Sequence, residues 1–271
     1  MLRRFFSTAL RNIAKNQLFS LINFVGLSIG IALTLLIYIY VREEVSYDKF
    51  QTKIDRIYRI KYSLPSQNMV LASAPPPIAP RLPEYFDAVE TTARLFGRNV
   101  TVKRRDAIEK FEETDVFFVD STFTDIFDLN FVQGSPEEAF RMNTVVLTES
   151  TAEKYFGNEN AVGQSLNFAG RVDFRVVGVV QDYPSNSSIQ FNMLLPYENM
   201  FDMEDDQTAE ITRNNLEINY VISHSYIYVL LNEGADPSEV DDGMDAFIKQ
   251  FAPEQMQVGQ VFTLFPMKDI H

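Results

Sequence analysis

From Leu18 to Val41 the chain runs LFSLINFVGLSIGIALTLLIYIYV, 24 residues without a charge. Its polar side chains, two tyrosines aside, are Ser20, Asn23, Ser28 and Thr34. A helix rising about 1.5 Å per residue would make this stretch about 36 Å long, enough to cross a hydrocarbon core of about 30 Å. A secretory signal has an apolar region of only about 7–15 residues, followed by a small-residue cleavage site. Here the segment runs straight into Arg42-Glu43-Glu44. The pattern predicts a retained transmembrane helix over residues 18–41. Before it, Leu2, Phe5, Phe6, Ala9, Leu10 and Ile13 recur with helical spacing among Arg3, Arg4, Arg11 and Lys15. That stripe predicts an interfacial helix over residues 1–17, lying on the membrane surface.

After the membrane the periodicity changes. Tyr47, Phe50, Ile54 and Ile57 keep a helical spacing, which predicts a helix continuing outward. Ile57, Arg59 and Lys61 then alternate with Tyr58, Ile60 and Tyr62, the mark of a strand, and Val89 to Phe96 reads as a second. Between them lies PRLPEYFDAVE, where Pro83 would limit or kink any helix. Aromatic strand character in DVFFVDSTFTDIFDLNFVQG ends in a turn at Gly134-Ser135-Pro136. Ser150-x-x-Glu153 reads as a capping box for a short helix closed by Gly157. VDFRVVGVVQDYPSNSSIQFNMLLPYENM predicts two strands around a Pro-Ser-Asn turn. Residues 202–223 are the most polar interval and read as a surface loop. HSYIYVLL is a strand, and Asp236-Pro237-Ser238-Glu239 is a helix start with a cap, a first-position proline and an acid. Val240, Met244, Phe247, Ile248 and Phe251 give that helix an apolar face. Val261 to Pro266 closes the pattern as a strand.

Charge sets the orientation. Lys and Arg mark the cytoplasmic flank of a short membrane segment, so the N-terminus stays inside and residues 43–271 lie outside. Five of the 24 basic residues (Arg3, Arg4, Arg11, Lys15 and Arg42) precede Glu43, and none of the 37 acids does. That leaves 19 against 37, a formal charge of −18 outside the membrane. Such a surface argues against nucleic acid and anionic lipid as partners of this part. The 23 Phe and 12 Tyr supply a substantial core, and with no Cys its stability must come from packing alone.

Catalytic patterns are missing. No G-x-x-x-x-G-K-[ST] loop exists to cradle a nucleotide, and no G-x-S-x-G elbow presents a serine. The two histidines, His224 and His271, cannot form H-E-x-x-H. His224 sits at the boundary of an apolar strand. Asp202, Glu204, Asp205 and Asp206 lack the glycine-centred spacing of a calcium loop and read as a solvated acidic turn. The expectation is a protein that is not an enzyme and needs no cofactor and no metal.

RNIAKNQLFSLINFVGLSIGIALTLLIYIYVREEVSYDKFQTKIDRIYRI resembles the opening of MacB-like, or FtsX-like, ABC transporter permeases. Glu44, Ser46, Tyr47, Asp48 and Phe50 match that family's E-x-S-[YF]-D-x-F segment, and Ile57, Tyr58 and Arg59 its IYR strand. Gly178, Val179, Asp182, Pro184, Asn186 and Ser187 match a G-V-x-x-D-x-P-x-N-S pattern, with Ser188 where a His often follows. The resemblance implies an α+β fold: one N-terminal transmembrane helix, then an extracytoplasmic porter-like α/β subdomain interrupted by a strand-rich subdomain. The porter-like parts fall at about 55–98 and 223–268, within a core domain spanning 42–271, and the insertion at about 99–222. In the family three more transmembrane helices follow this domain, and none is expected after His271.

By resemblance the chain is a non-catalytic permease component in a bacterial inner (cell) membrane. Its extracytoplasmic domain would couple cytoplasmic ATP hydrolysis to export or mechanotransmission. The partners implied are a cytoplasmic ABC ATPase subunit, permease transmembrane helices and, in a homodimer, a second copy. The alternative is an autonomous single-pass, membrane-anchored binding or sensor domain. Gly26 and Gly30, four residues apart near the bilayer centre, are the helix-packing candidates, because small residues let a second helix approach closely.

Overall fold

The computed structural model describes residues 11, 14–257 and 259–270. The chain divides into two units between Tyr47 and Asp48. In the first, helix α1 spans Gln17–Glu44 and buries none of its residues. Its apolar surface is bare along its whole length, as suits a helix long enough to cross a membrane. The helix expected over residues 1–17 falls outside the described residues, Arg11 and 14–17 excepted. The outward continuation expected through Ile57 is not there. Turns occupy residues 45–50, and after one 3₁₀ turn at Ile54–Arg56 the chain enters strand β1.

The second unit holds one sheet. Its strands are β1 (Ile57–Leu64), β2 (Met69–Leu71), β3 (Val89–Arg104), β4 (Phe111–Val119), β5 (Phe131–Gly134) and β6 (Thr144–Thr148). They continue as β7 (Ser165–Phe168), β8 (Val172–Val180), β9 (Met193–Pro196), β10 (Tyr226–Leu231) and β11 (Val261–Pro266). Helices α2 (Ile78–Tyr85), α3 (Phe123–Ile126), α4 (Glu149–Phe156), α5 (Asp206–Ile218) and α6 (Pro237–Phe251) pack around it. The order β11-β1-β10-β3 is antiparallel throughout.

Both faces of that four-stranded part are covered. On one, Ile60, Tyr62, Ile227, Val229, Phe262 and Leu264 meet α2 and α6 through Ile78, Leu82, Val240, Met244 and Phe247. Gly243 of α6 brings the helix close to Phe86, whose ring carbon would lie 2.5 Å from an added Cβ. On the other face Ile57, Ala93, Leu95, Tyr228 and Leu230 pack with Phe123, Ile126 and Phe127. Strand β10 therefore sends alternate residues into two cores, which is why it reads as a nearly unbroken apolar run.

β3 is longer than the expected Val89–Phe96 because it serves two structures. Its first half pairs with β10, and its second with β4 and β7. From there β4 pairs with β9, β9 with β6, β6 with β8 and β8 with β7, which returns to β3. These pairings close a ring of six strands, and closure removes most of the free edges a sheet would otherwise expose. Val102, Phe118, Leu147, Phe168, Phe174 and Leu195 form its core.

Two local readings need correction. Residues 202–223 are not a loop, because α5 occupies Asp206–Ile218. Asp205 starts it by accepting from the Thr208 amide at 3.0 Å and the Thr208 hydroxyl at 2.7 Å. Only Leu216 of this helix is buried, so its apolar stripe is too sparse to mark it. The cap of α4 is Thr148, not Ser150, with its hydroxyl accepting from the Thr151 amide. Gly157 does close that helix, at φ +58°.

Candidate functional site

Asp48 opens the second unit. It is fully buried and sits at φ +53°, a left-handed conformation that aspartate tolerates better than most residues. Its amide donates to the Asn186 carbonyl at 3.0 Å. Its carboxyl group accepts from the Ser187 hydroxyl at 2.8 Å, the Ser188 amide at 3.0 Å and the Ser188 hydroxyl. A carboxylate removed from water is costly unless its lone pairs are filled, and donors from two adjacent residues fill these.

The next residues extend the joint. Gln51, also buried, accepts from the Asp128 amide at 2.8 Å and donates to the Tyr183 hydroxyl at 3.3 Å. That hydroxyl donates in turn to the Asp128 carbonyl at 2.9 Å, and burial raises its pKa above the ordinary tyrosine value. The Thr52 amide donates to Asp128 Oδ2 at 2.6 Å. Phe50 meets the Tyr183 ring edge-on, centroids 5.2 Å apart. Residues 48–52 are thus fixed to the β8–β9 connection and to the residues just after α3. These polar groups are directed at one another.

A second polar cluster lies where the four-stranded part meets the ring. Arg94 on β3 holds Asp120 through Nε at 2.9 Å and a terminal nitrogen at 2.7 Å, while its own amide reaches Asp120 Oδ2 at 2.8 Å. The guanidinium lies 3.9 Å from the Tyr197 ring centre. The Tyr197 hydroxyl pairs with Ser225 Oγ at 2.8 Å, and Ser225 Oγ with His224 Nδ1 at 2.8 Å. Burial, then the Arg94 charge, lowers the His224 pKa to about 4, so the imidazole is neutral at pH 7. Its ring stacks on Phe96 at 4.1 Å. Burial pushes the Tyr197 hydroxyl up to about 12.

The sequence matches the family model described as MacB-like periplasmic core domain over residues 20–247. The chain belongs to that family. Among solved structures it is similar to a domain of a protein from Porphyromonas gingivalis described as a permease, at 25% identity and TM-score 0.64, covering 80% of this chain and 92% of that one. It shares its fold with the periplasmic region of MacB from Actinobacillus actinomycetemcomitans, at 15% identity and TM-score 0.54, covering 80% and 91%. The extracellular domain of the noncanonic ABC-type transporter YknZ from Gram-positive bacteria gives 15% identity and TM-score 0.52, covering 76% and 99%. No curated protein matched the sequence. The chain is a MacB-like periplasmic core domain of ABC transporter permease type, preceded by an apolar helix fit to anchor it in a membrane.

Within this MacB-like domain the motif residues have identifiable local tasks. Gly178 leaves room for Phe131, whose ring carbon would lie 2.6 Å from an added Cβ. Asp182 accepts from the Ser150 hydroxyl at 2.9 Å, so Ser150 is tied to the β8–β9 connection and does not cap α4. The Pro184 carbonyl accepts from Ser187 and Gln190. Ser188 supplies two of the donors to Asp48, its amide and its hydroxyl.

Gly26 and Gly30 lie on α1, and a Cβ added at either would meet nothing within 4 Å. The Thr34 hydroxyl donates to the Gly30 carbonyl at 2.8 Å. The acidic run is dispersed: Asp202 accepts from Asn199, Glu204 pairs with Arg98 at 2.6 Å, and Asp205 caps α5. Among the described residues no group of three His, Asp or Glu could hold a metal. Arg94, Asp120, Tyr197 and Ser225 were not singled out from sequence. They lie on separate elements, and no local pattern links them.

Proposed function

We propose that this MacB-like domain is the non-catalytic permease component that couples cytoplasmic ATP hydrolysis to export or mechanotransmission outside the membrane. The carrying observation is the fixation of Asp48. Only residues 45–47 separate the end of α1 from this buried, fully hydrogen-bonded carboxyl group. A displacement of the membrane helix would pass along the chain into the β8–β9 connection. In this reading the N-terminus faces the cytoplasm of a bacterial inner membrane, and residues 43–271 lie outside.

The partners are a cytoplasmic ATPase subunit, permease helices that pack at Gly26 and Gly30, and a second copy in a homodimer. The division into porter-like parts (55–98 and 223–268) and an insertion (99–222) is supported by the cores. One core lies in the flanking parts apart from Tyr220, another draws on residues from Val100 to Leu216, and a third joins the two parts.

The absence of Cys makes the test direct, since two engineered cysteines can carry spin labels without competition. Gln67→Cys and Asn158→Cys place one label on an exposed turn of each part. With the chain assembled with its ATPase in membranes, the interlabel distance should change between nucleotide-free and vanadate-trapped states. Asp48→Ala should retain ATP hydrolysis and lose that change. A distance indifferent to nucleotide, or an Asp48→Ala assembly that responds like wild type, overturns the proposal.

A further inference from the structure

Arg59 belongs to the IYR strand, yet neither the joint nor the Arg94 cluster uses it. Its register partner on β10 is Tyr228, and Tyr226 pairs with Leu95 on β3. Partners in a ladder share a face, so these side chains project from one side of the sheet. Gly97 and Phe117 are partners one step further along, and Phe117 lies within 3.0 Å of where a Gly97 Cβ would be. The missing side chain lets the Phe117 ring settle over the strand. Residues 188–190 of the β8–β9 connection form the opposite wall of a cavity of about 260 Å³. Arg59, Tyr226, Tyr228, Leu95, Phe117 and Gln190 line it, as does Asp115.

The chemistry of this cavity is uneven in an informative way. The Arg59 guanidinium lies 5.7 Å from the Tyr226 ring centre. Among the described residues no carboxylate pairs with it. Four arginines of the second unit, Arg59, Arg141, Arg171 and Arg213, are in no ion pair among the described residues, and Arg59 is the one that lines this cavity. A guanidinium carries N–H donors in a planar fork that matches a carboxylate with two parallel hydrogen bonds. Phe117, Leu95 and Tyr226 supply apolar and aromatic walls, while Asp115 offers an acceptor, its own carboxyl already holding the Thr114 hydroxyl at 3.2 Å. Asp115 would repel a second anion but accept an N–H.

We propose that this cavity binds the C-terminal residue of a peptide or a similar N-acylated amino acid. Arg59 takes the carboxylate, the rings of Phe117 and Tyr226 take an apolar side chain, and Asp115 takes the amide N–H. The cavity shares Ser188 with the Asp48 joint, but its occupancy can be measured on the chain alone, without the ATPase.

The test uses the full chain in detergent micelles, with N-acetyl-L-phenylalanine and its primary amide as probes, titrated by ligand-observed NMR. The two differ only in the group that Arg59 would hold. The acid should bind at least about tenfold tighter than the amide, as expected for losing a charge-assisted bidentate pair. Arg59→Gln, checked for an unchanged thermal midpoint, should bring the acid down to the amide's affinity. Tyr226→Ala should weaken both probes together. Equal affinity of acid and amide for the wild-type chain, or no binding of either, overturns the proposal without reference to any variant. Undiminished binding of the acid by folded Arg59→Gln overturns it as well.

Discussion

The Ser187 hydroxyl donates to Oδ1 of Asp48 at 2.8 Å across 139 residues of sequence. Each residue belongs to a motif recognisable from the sequence, and the contact brings the two motifs together. Asp48 begins the unit that follows the membrane helix, and Ser187 lies in the turn between β8 and β9. The bond ties the entry of the chain to a strand connection deep in the second unit.

Asp48→Ala removes the acceptor and strands three buried or half-buried donors, while keeping a Cβ at positive φ. The expected cost is about 3 kcal/mol, with a fall in Tm of about 10 °C. Asp48→Asn retains one acceptor oxygen and a residue that tolerates the left-handed region, so it should cost about 1 kcal/mol. Thermal unfolding of the full chain followed by circular dichroism checks both. Equal midpoints for wild type and Asp48→Ala would mean the carboxyl group holds nothing.

The Arg94–Asp120 pair should behave as one unit. Both side chains are about one-fifth exposed, and they share two side-chain hydrogen bonds. Either Arg94→Met or Asp120→Leu should cost about 2 kcal/mol, since each leaves a half-buried charge without its partner. The double variant should cost less than the sum of the singles, by about 1 kcal/mol or more. Arg94→Lys should not rescue, because an ammonium cannot make the bidentate contact or lie flat on Tyr197. Strict additivity in denaturant titrations would contradict this account.

What the sequence disclosed follows the range of the interactions. β11 was legible to the residue, and α6 was announced by Asp236, whose side chain accepts from the Ser238 amide at 3.0 Å. Those signals are local. α5 was hidden because one buried leucine cannot write a stripe, even though Asp205 followed by Thr208 forms a cap. Closure of the six-stranded ring depends on β7 pairing with the far end of β3, as in Val102 opposite Phe168, and no local periodicity carries that information. The joint was half legible. Both motifs were visible, but their contact was not, and Ser188 gave no sign that its amide and hydroxyl would both reach Asp48.

His224 makes stability depend on pH. Its folded pKa, about 4, lies below the ordinary value of 6.5, because burial and the Arg94 charge both disfavour the imidazolium. Between these values the unfolded chain binds more protons than the folded one, so stability falls as pH drops from about 6.5 to about 4. The contribution is fully present above pH 6.5. Carboxylates titrate in the same window, so the measurement is a difference. His224→Phe keeps a ring to stack on Phe96 and removes the titration, and its Tm should decline less steeply than wild type between pH 7 and 4.5. Parallel declines would show that His224 protonates freely in the fold.

The last prediction concerns α1, whose residues are unburied and whose glycines face open space. Gly26 and Gly30 are one helical turn apart, so both sit on the same side, where the lack of side chains would let a neighbouring helix come close. Leucine at both positions adds apolar surface, which favours insertion, and a Cβ at either meets nothing within 4 Å. Gly26→Leu with Gly30→Leu should therefore leave the helix inserted and the second unit folded, because among the described residues nothing lies near a Cβ at either position. A loss of assembly can then come only from a second helix excluded by the new side chains. Crosslinking in native membranes should show the double variant recovered at wild-type abundance but joined to a neighbouring helix several-fold less often. Crosslinking at the wild-type level would place the packing face of α1 elsewhere on the helix.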